Sequence, residues 1–183
     1  MQTKQTLREK YLRARRSLTP EERAEKSARI AERIAALPEF AAAETVLVYR
    51  ATPDEADLNF LTEHPASAGK RFAYPVCLNA KEMAAMLPGG WREGAFGILE
   101  PDPASSQDVS PEEIGLVVCP GVAFDGDGTR LGMGGGYYDR FLPRCTDAAV
   151  LLAAFEAQRA EETLPREAND IPVGRIVTEN GVY

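Results

Sequence analysis

Leu116-Val117-Val118-Cys119 runs straight into Pro120-Gly121-Val122-Ala123-Phe124-Asp125-Gly126-Asp127-Gly128-Thr129-Arg130-Leu131-Gly132-Met133-Gly134-Gly135-Gly136-Tyr137-Tyr138-Asp139-Arg140-Phe141-Leu142. An apolar run, a turn-rich loop and a stretch from about Gly136 to Leu142, stopped by Pro143, follow one another here. That order predicts a buried strand, a loop and a helix, a unit from which α/β folds are built. Gly132, Gly134, Gly135 and Gly136 are flanked by Arg130 on one side and by Tyr137, Tyr138 and Asp139 on the other. Glycine lets another molecule approach the main chain closely and admits positive φ. Successive N–H groups in such a loop can form a concave anion site, and a helix opening at Tyr137 adds its own free N–H groups. Arg130 brings a planar charged fork for phosphate or carboxylate, and Asp139 a hard oxygen for a divalent cation. The stretch therefore predicts a phosphate cradle with a metal ligand attached. It is not a common phosphate motif. No G-x-x-x-x-G-K-[ST] occurs, and the glycine spacing misses the G-x-G-x-x-G dinucleotide fingerprint.

Residues 3–17 carry Leu7, Tyr11 and Leu12 at helical spacing and predict a first helix. Thr19-Pro20-Glu21-Glu22 supplies an N-cap, a proline at N1 and a capping-box glutamate, so a second helix starts there and runs to about Leu37. Thr45 to Tyr49 is β-branched and apolar, a strand buried on both faces. A short helix over Leu58 to Thr62, a turn at Pro65 to Gly69, and strands at Arg71–Val76 and Met83–Leu87 come next. Leu87 to Pro111 is rich in Gly, Pro and Ser and reads as irregular and mobile. Ser110-Pro111-Glu112-Glu113 reads as a single turn. Ala149–Phe155 and Arg175–Thr178 are the last strands. Strands separated by helices imply a three-layer α/β fold with a mostly parallel sheet, whose ligands belong at the carboxyl ends of its strands. Arg50, Glu55, the loop from Gly121 and the Gln158–Asp170 segment all stand at such ends.

The 183 residues suit one domain, and 44% hydrophobic with 27% charged residues is ordinary for a soluble protein. No apolar stretch is long enough for a bilayer, and Met1 to Gln5 leads into charge without a signal-peptide core, so the cytoplasm is expected. Cys77, Cys119 and Cys145 lie far apart with no C-x-x-C, and Cys119 reads as a buried thiol. His64, the lone histidine, sits in a turn-like context with no second histidine to build a site. Site chemistry must therefore rest on carboxylates. The net charge of −7 argues against nonspecific nucleic-acid binding. Residues 1–18 depart from it: Lys4, Arg8, Lys10, Arg13, Arg15 and Arg16 face only Glu9, a local +5 that leaves −12 on the rest. Such a basic arm is a candidate for holding a polyanion, or simply a solvated helix face.

The stretch from Gly121 to Leu142 resembles the signature of the 5-formyltetrahydrofolate cyclo-ligase (5,10-methenyltetrahydrofolate synthetase) family. The resemblance extends through Lys4-Gln5-Thr6-Leu7-Arg8, Tyr49-Arg50 to Asp54-Glu55, Gly97-Ile98-Leu99-Glu100-Pro101 and Asn169-Asp170-Ile171-Pro172-Val173. It implies a Rossmann-like α/β/α sandwich with a mixed sheet. It also implies an enzyme acting on ATP and 5-formyltetrahydrofolate with Mg²⁺; a monomer with no nucleic-acid or membrane partner is expected. The implied reaction transfers the γ-phosphoryl of ATP to the formyl oxygen at N5, N10 closes the ring, and phosphate leaves. ADP and 5,10-methenyltetrahydrofolate are the other products. Alignment of the reactants and charge neutralisation then suffice.

By resemblance, Arg130 and the N–H groups of Leu131, Gly132, Met133, Gly134, Gly135, Gly136, Tyr137 and Tyr138 hold the ATP phosphates, assisted by Lys4 and Arg8. Arg130 and Tyr137 are expected at the reacting groups, and Asp139 and Asp170 at the metal. Glu55 fits a carboxylate on the donor edge of the pterin. Arg50 matches a folate-contacting position by place rather than by residue type, and Met133 to Tyr137 face folate as well as nucleotide. Trp91 and Phe96 are expected in core packing before ring stacking. Two departures stand out: Met133 replaces a Tyr or Arg, and Asn169 stands where many members have His. The competing readings are a CoA transferase or sugar-phosphate isomerase, and a non-catalytic nucleotide- or folate-binding module.

Overall fold

The computed structural model describes residues 3–94 and 97–183; Phe96 lies outside them. Five helices, α1 (Lys4–Arg16), α2 (Pro20–Ala35), α3 (Pro38–Ala42), α4 (Asn59–Thr62) and α5 (Tyr137–Phe141), accompany eleven strands among the described residues. The main sheet contains β1 (Thr45–Leu47), β2 (Arg71–Cys77), β3 (Met83–Leu87), β6 (Gln107–Val109), β7 (Leu116–Cys119), β10 (Ala149–Ala153) and β11 (Arg175–Val177). Its order is β11-β10-β7-β1-β2-β3-β6. The run from β11 to β2 is parallel, whereas β2–β3 and β3–β6 are antiparallel. Two hairpins stand apart, β4 (Trp91–Glu93) with β5 (Leu99–Pro101), and β8 (Ala123–Phe124) with β9 (Arg130–Leu131).

Alternation on the central strands builds two cores. Val46, Val48, Leu116 and Val118 pack against Ile30 and Ile34 of α2, Phe40 of α3 and Leu61 by α4. Leu47, Val117 and Cys119 point the other way, to Phe141 and Leu142. Helices on both faces of a mixed, mostly parallel sheet are the expected α/β architecture. The expected box is present: Glu22 N–H donates to Thr19 Oγ1 at 3.1 Å, and Thr19 N–H donates to Glu22 Oε2 at 2.8 Å. A third core seats α1 on the β8–β9 hairpin, where Leu7 and Tyr11 meet Val122 and Leu131.

Two expectations need correction. The segment from Leu87 to Pro111 is not irregular, since it holds β4, β5 and β6. Its Gly, Pro and Ser residues mark turns between strands of three residues each, too short to show a period of two. Trp91 is not in the core either: it is 41% exposed, its ring edge-on to Tyr74 at 5.0 Å between centroids. His64 caps a single 3-10 turn, its Nδ1 accepting from Ala66 N–H. No helix among the described residues is long and apolar enough to cross a membrane.

Candidate active site

The loops after β1, β7 and β10 open at one edge of the parallel strands, as topology requires. They border a cleft of about 770 Å³. Every site residue named from the sequence lines this cleft, from Lys4 and Arg8 through Arg50 and Glu55 to the Arg130–Asp139 run and Asp170. Sequence separations above a hundred residues are thereby closed.

Folding of the loop explains its glycines. β8 and β9 pair across the turn Asp125–Gly128, whose Asp125 carboxylate accepts from the N–H groups of Asp127, Thr129 and Leu164. The chain leaves β9 through Gly134 at φ 101° and Gly136 at φ 64°, both costly for any other residue. Gly136 is the N-cap of α5, so the loop delivers the chain directly to a helix start.

Arg130 lies at the back of the loop with its side chain 4% exposed. Its Nη2 donates to Asp139 Oδ1 at 2.9 Å, and its guanidinium stands 5.6 Å from the centre of the Tyr138 ring. Arg130 Nε and Tyr138 Oη are both buried with no hydrogen-bond partner among the described residues. Burial pushes the Tyr138 hydroxyl pKa well up, which keeps it a neutral donor.

α1 contributes two further cations. Lys4 Nζ reaches Asp170 Oδ2 at 2.6 Å and Glu167 Oε1 at 3.0 Å, and Arg8 Nε donates to the Gly132 carbonyl at 2.8 Å. Burial works to lower the Lys4 pKa, but its hydrogen bonds to Asp170 and Glu167 prevail and raise it. Asp170 is lowered: burial pushes up, and the Glu167 N–H and Lys4 outweigh it. Each cation thus sits against a carboxylate or a carbonyl.

Tyr137 and Arg140 tie the turn between β2 and β3 to the loop. Tyr137 Oη donates to the Asn79 carbonyl at 3.1 Å, and Arg140 donates to the carbonyls of Lys81 and Gly135. Away from the glycines, Glu55 Oε2 accepts from Thr52 N–H at 2.9 Å, leaving the side chain 15% exposed. Arg50 donates to Asn59 Oδ1 and lies 5.3 Å from the centre of the Trp91 ring. Met133 is 67% exposed, beside the backbone it was expected to leave open.

Sequence reasoning missed several lining residues, among them Cys77, Glu100 and Glu167. Glu100 is 7% exposed, accepts from Arg92 and Cys77 N–H, and fastens the β4–β5 hairpin to β2. Only the run Ile98-Leu99-Glu100-Pro101 hinted at it, a carboxylate between apolar residues.

Among the described residues no group of three or more His, Cys, Asp or Glu is placed to hold a metal ion. Asp139 uses only Oδ1, toward Arg130 and Ile171 N–H, and Asp170 only Oδ2, toward Lys4 and Glu167 N–H. Each keeps one carboxylate oxygen without a partner among the described residues. Two hard oxygens suit a cation that takes most of its ligands from phosphates and water, as Mg²⁺ does.

Residues 1–179 match the profile of the 5-formyltetrahydrofolate cyclo-ligase family. The chain belongs to that family. The Escherichia coli (strain K12) 5-formyltetrahydrofolate cyclo-ligase is 33% identical over 181 residues, covering 92% of this chain and 96% of that one. Among solved structures, the Aquifex aeolicus 5,10-methenyltetrahydrofolate synthetase superposes with a TM-score of 0.84 at 37% identity, over 98% of this chain and 91% of that one. A synthetase from Mycoplasma pneumoniae superposes at 0.80 with 23% identity, over 97% and 99%, a likeness of fold. Cyclo-ligase membership makes the chain a ligase of folate metabolism and does not favour the transferase, isomerase or non-catalytic readings.

Proposed function

We propose that the protein cyclises 5-formyltetrahydrofolate to 5,10-methenyltetrahydrofolate at the expense of ATP, with both substrates in the one cleft. The observation that carries this reading is the shared cavity. Glycine-loop backbone, Arg130, Lys4 and Arg8 line it together with an anchored carboxylate, Glu55.

Phosphates take the N–H groups of the loop and the start of α5, with Arg130 and Lys4 turning from their carboxylates to the nucleotide. Asp139 and Asp170, released in the same movement, would hold Mg²⁺ through the oxygens they keep free. When bound, the ion neutralises charge on the β- and γ-phosphates. Glu55 accepts from the donor edge of the pterin and fixes the formyl oxygen in line with the γ-phosphorus. The formyl oxygen attacks phosphorus as the bond to the β-phosphate oxygen breaks, giving ADP and an N5 iminium carbon bearing phosphate. N10 adds its lone pair to that carbon, loses its proton, and phosphate departs. Arg130 stabilises the phosphoryl oxygens, while Tyr137 holds the Asn79 turn and presents its ring to the folate. Walls that exclude water matter here, because the activated formyl group is open to hydrolysis.

The 183 residues are proposed to act as one domain, a cytoplasmic monomer that binds neither nucleic acid nor membrane. Light scattering after gel filtration tests the monomer. Purified protein with Mg·ATP and 5-formyltetrahydrofolate should develop the near-ultraviolet absorbance of the methenyl product. Its absence in folded protein overturns the reading.

A further inference from the structure

Arg15 does not line the cleft, yet it lies directly behind it. The residue is in the last turn of α1 with its side chain 4% exposed. Nε and Nη2 donate to Asp54 Oδ2 at 3.2 and 3.0 Å, and Nη1 donates to the Gly121 carbonyl at 3.3 Å. The same Nη1 stands 3.5 Å from Glu55 Oε1. Gln158 Nε2 takes the Gly121 carbonyl as well, at 2.7 Å. One guanidinium thus ties α1, the loop after β1 and the loop after β7 at a single point.

Glu55 is held from two sides as a result, Oε2 by Thr52 N–H and Oε1 by the field of Arg15. A glutamate free to rotate loses rotamer entropy each time it binds a ligand, and a carboxylate lodged among buried groups needs a compensating charge. Arg15 supplies that charge and confines the side chain beforehand. Its planar fork reaches three acceptors in fixed directions, which a lysine ammonium cannot do.

We propose that Arg15 is a positioning residue that sets Glu55 for the donor edge of the pterin and thereby fixes selectivity for that edge. The proposal rests on the placement of the pterin against Glu55 given above. A purely structural tie between helix and loops would lower thermal stability without altering which ligands are preferred.

The test uses the full chain with Arg15→Met and Arg15→Lys, and two ligands: 5-formyltetrahydrofolate and its 2-desamino-2-methyl analogue, which lacks the exocyclic amino donor. Dissociation constants of both, and of Mg·ATP, are measured by calorimetry beside the melting temperature. R15M should weaken the natural folate roughly tenfold to a hundredfold, the range of a lost charge-assisted contact, with Mg·ATP changed less than about twofold. The analogue's disadvantage, large in the wild type, should shrink at least about fivefold in R15M and by an intermediate factor in R15K. If R15M does not fold, the R15K measurement decides. Variants that melt earlier but keep the full preference overturn the role of Arg15. A wild type that binds both ligands equally overturns the placement of the pterin itself, and the proposal with it.

Discussion

Replacing Arg130 with methionine separates nucleotide binding from stability. The side chain is 4% exposed, and methionine preserves most of its stem volume. In the ligand-free protein it leaves Asp139 without its 2.9 Å partner, but Asp139 is 24% exposed and retains the Ile171 N–H. Water screens that loss to about 1 kcal/mol or less. Removing Arg130 Nε, a buried donor with no partner among the described residues, offsets part of it. The melting temperature should fall by no more than about 2–4 °C. On the proposed placement of the nucleotide the guanidinium meets phosphate, and losing a charge-assisted contact of roughly 1.5–3 kcal/mol should raise the Mg·ATP dissociation constant about tenfold to a hundredfold. Calorimetric titration measures the affinity and thermal melting the stability, with Arg130→Lys falling between because it keeps charge and loses the fork. A folded Arg130→Met protein that binds Mg·ATP within about twofold of the wild type refutes the assignment.

Gly134→Ala places a Cβ at φ 101°, 3.4 Å from the Arg8 guanidinium, so backbone strain of about 1–2 kcal/mol should appear as weaker Mg·ATP binding by calorimetry. The positive φ values fall at Gly134 and Gly136 and not at Gly135, where close approach to the Tyr137 ring is the constraint. A thiol-specific reagent at pH 8 should label Cys77 alone, and 5-formyltetrahydrofolate should slow it, as mass spectrometry of the labelled peptides would show. Burial raises all three thiols, Cys119 up to about 12 and Cys145 up to about 11, but Cys77 alone is partly exposed, on the cleft. Burial raises the Asp54 pKa, but Arg15 beside it outweighs this, so its folded-state pKa lies below the ordinary value. Its stabilisation is present above the unfolded pKa of about 3.9 and is lost as pH falls through the lower folded value. Asp54→Asn should therefore be less stable at pH 7, with a shallower loss below pH 5 in urea titrations. Asp139→Asn should weaken apparent Mg²⁺ affinity more than folate binding, with excess Mg²⁺ restoring part of the rate; unshifted metal dependence would return Asp139 to a helix-start carboxylate.

Helix starts were legible because their signals are local: Thr19, Pro20 and Glu22 meet within one turn of α2. The central strands were legible because burial on both faces leaves an unbroken apolar run, as in Leu116–Cys119. The β8–β9 hairpin was not read, although Asp125-Gly126-Asp127-Gly128 is a strong turn signal, because its strands are two residues long. Antiparallel placement of β3 follows from the short Leu78–Glu82 turn, which leaves no room for a crossover. The residues facing the cleft could be named from the glycine run and, for Lys4, Arg8, Arg50, Glu55 and Asp170, from the family resemblance. Their partners could not, since the Lys4–Asp170 and Arg8–Gly132 contacts depend on sheet order. Arg15 left a faint trace: it lies eleven positions after Lys4, about three helical turns, and so on the same face.

The seat of α1 has a consequence for the order in which the molecule is made. Lys4 bonds to a residue 166 positions away, Arg8 to one at 124 and Arg15 to one at 106. During synthesis this helix leaves the ribosome before the other elements of the fold, yet its partners Gly121, Gly132 and Asp170 follow more than a hundred residues later. Until Leu164 emerges, Leu7 and Tyr11 lack part of the surface they pack on, and until Glu167 and Asp170 follow it the ammonium of Lys4 has neither of its carboxylates. The part of the cleft lined by Lys4 and Arg8 is therefore assembled only after the chain has been made as far as Asp170.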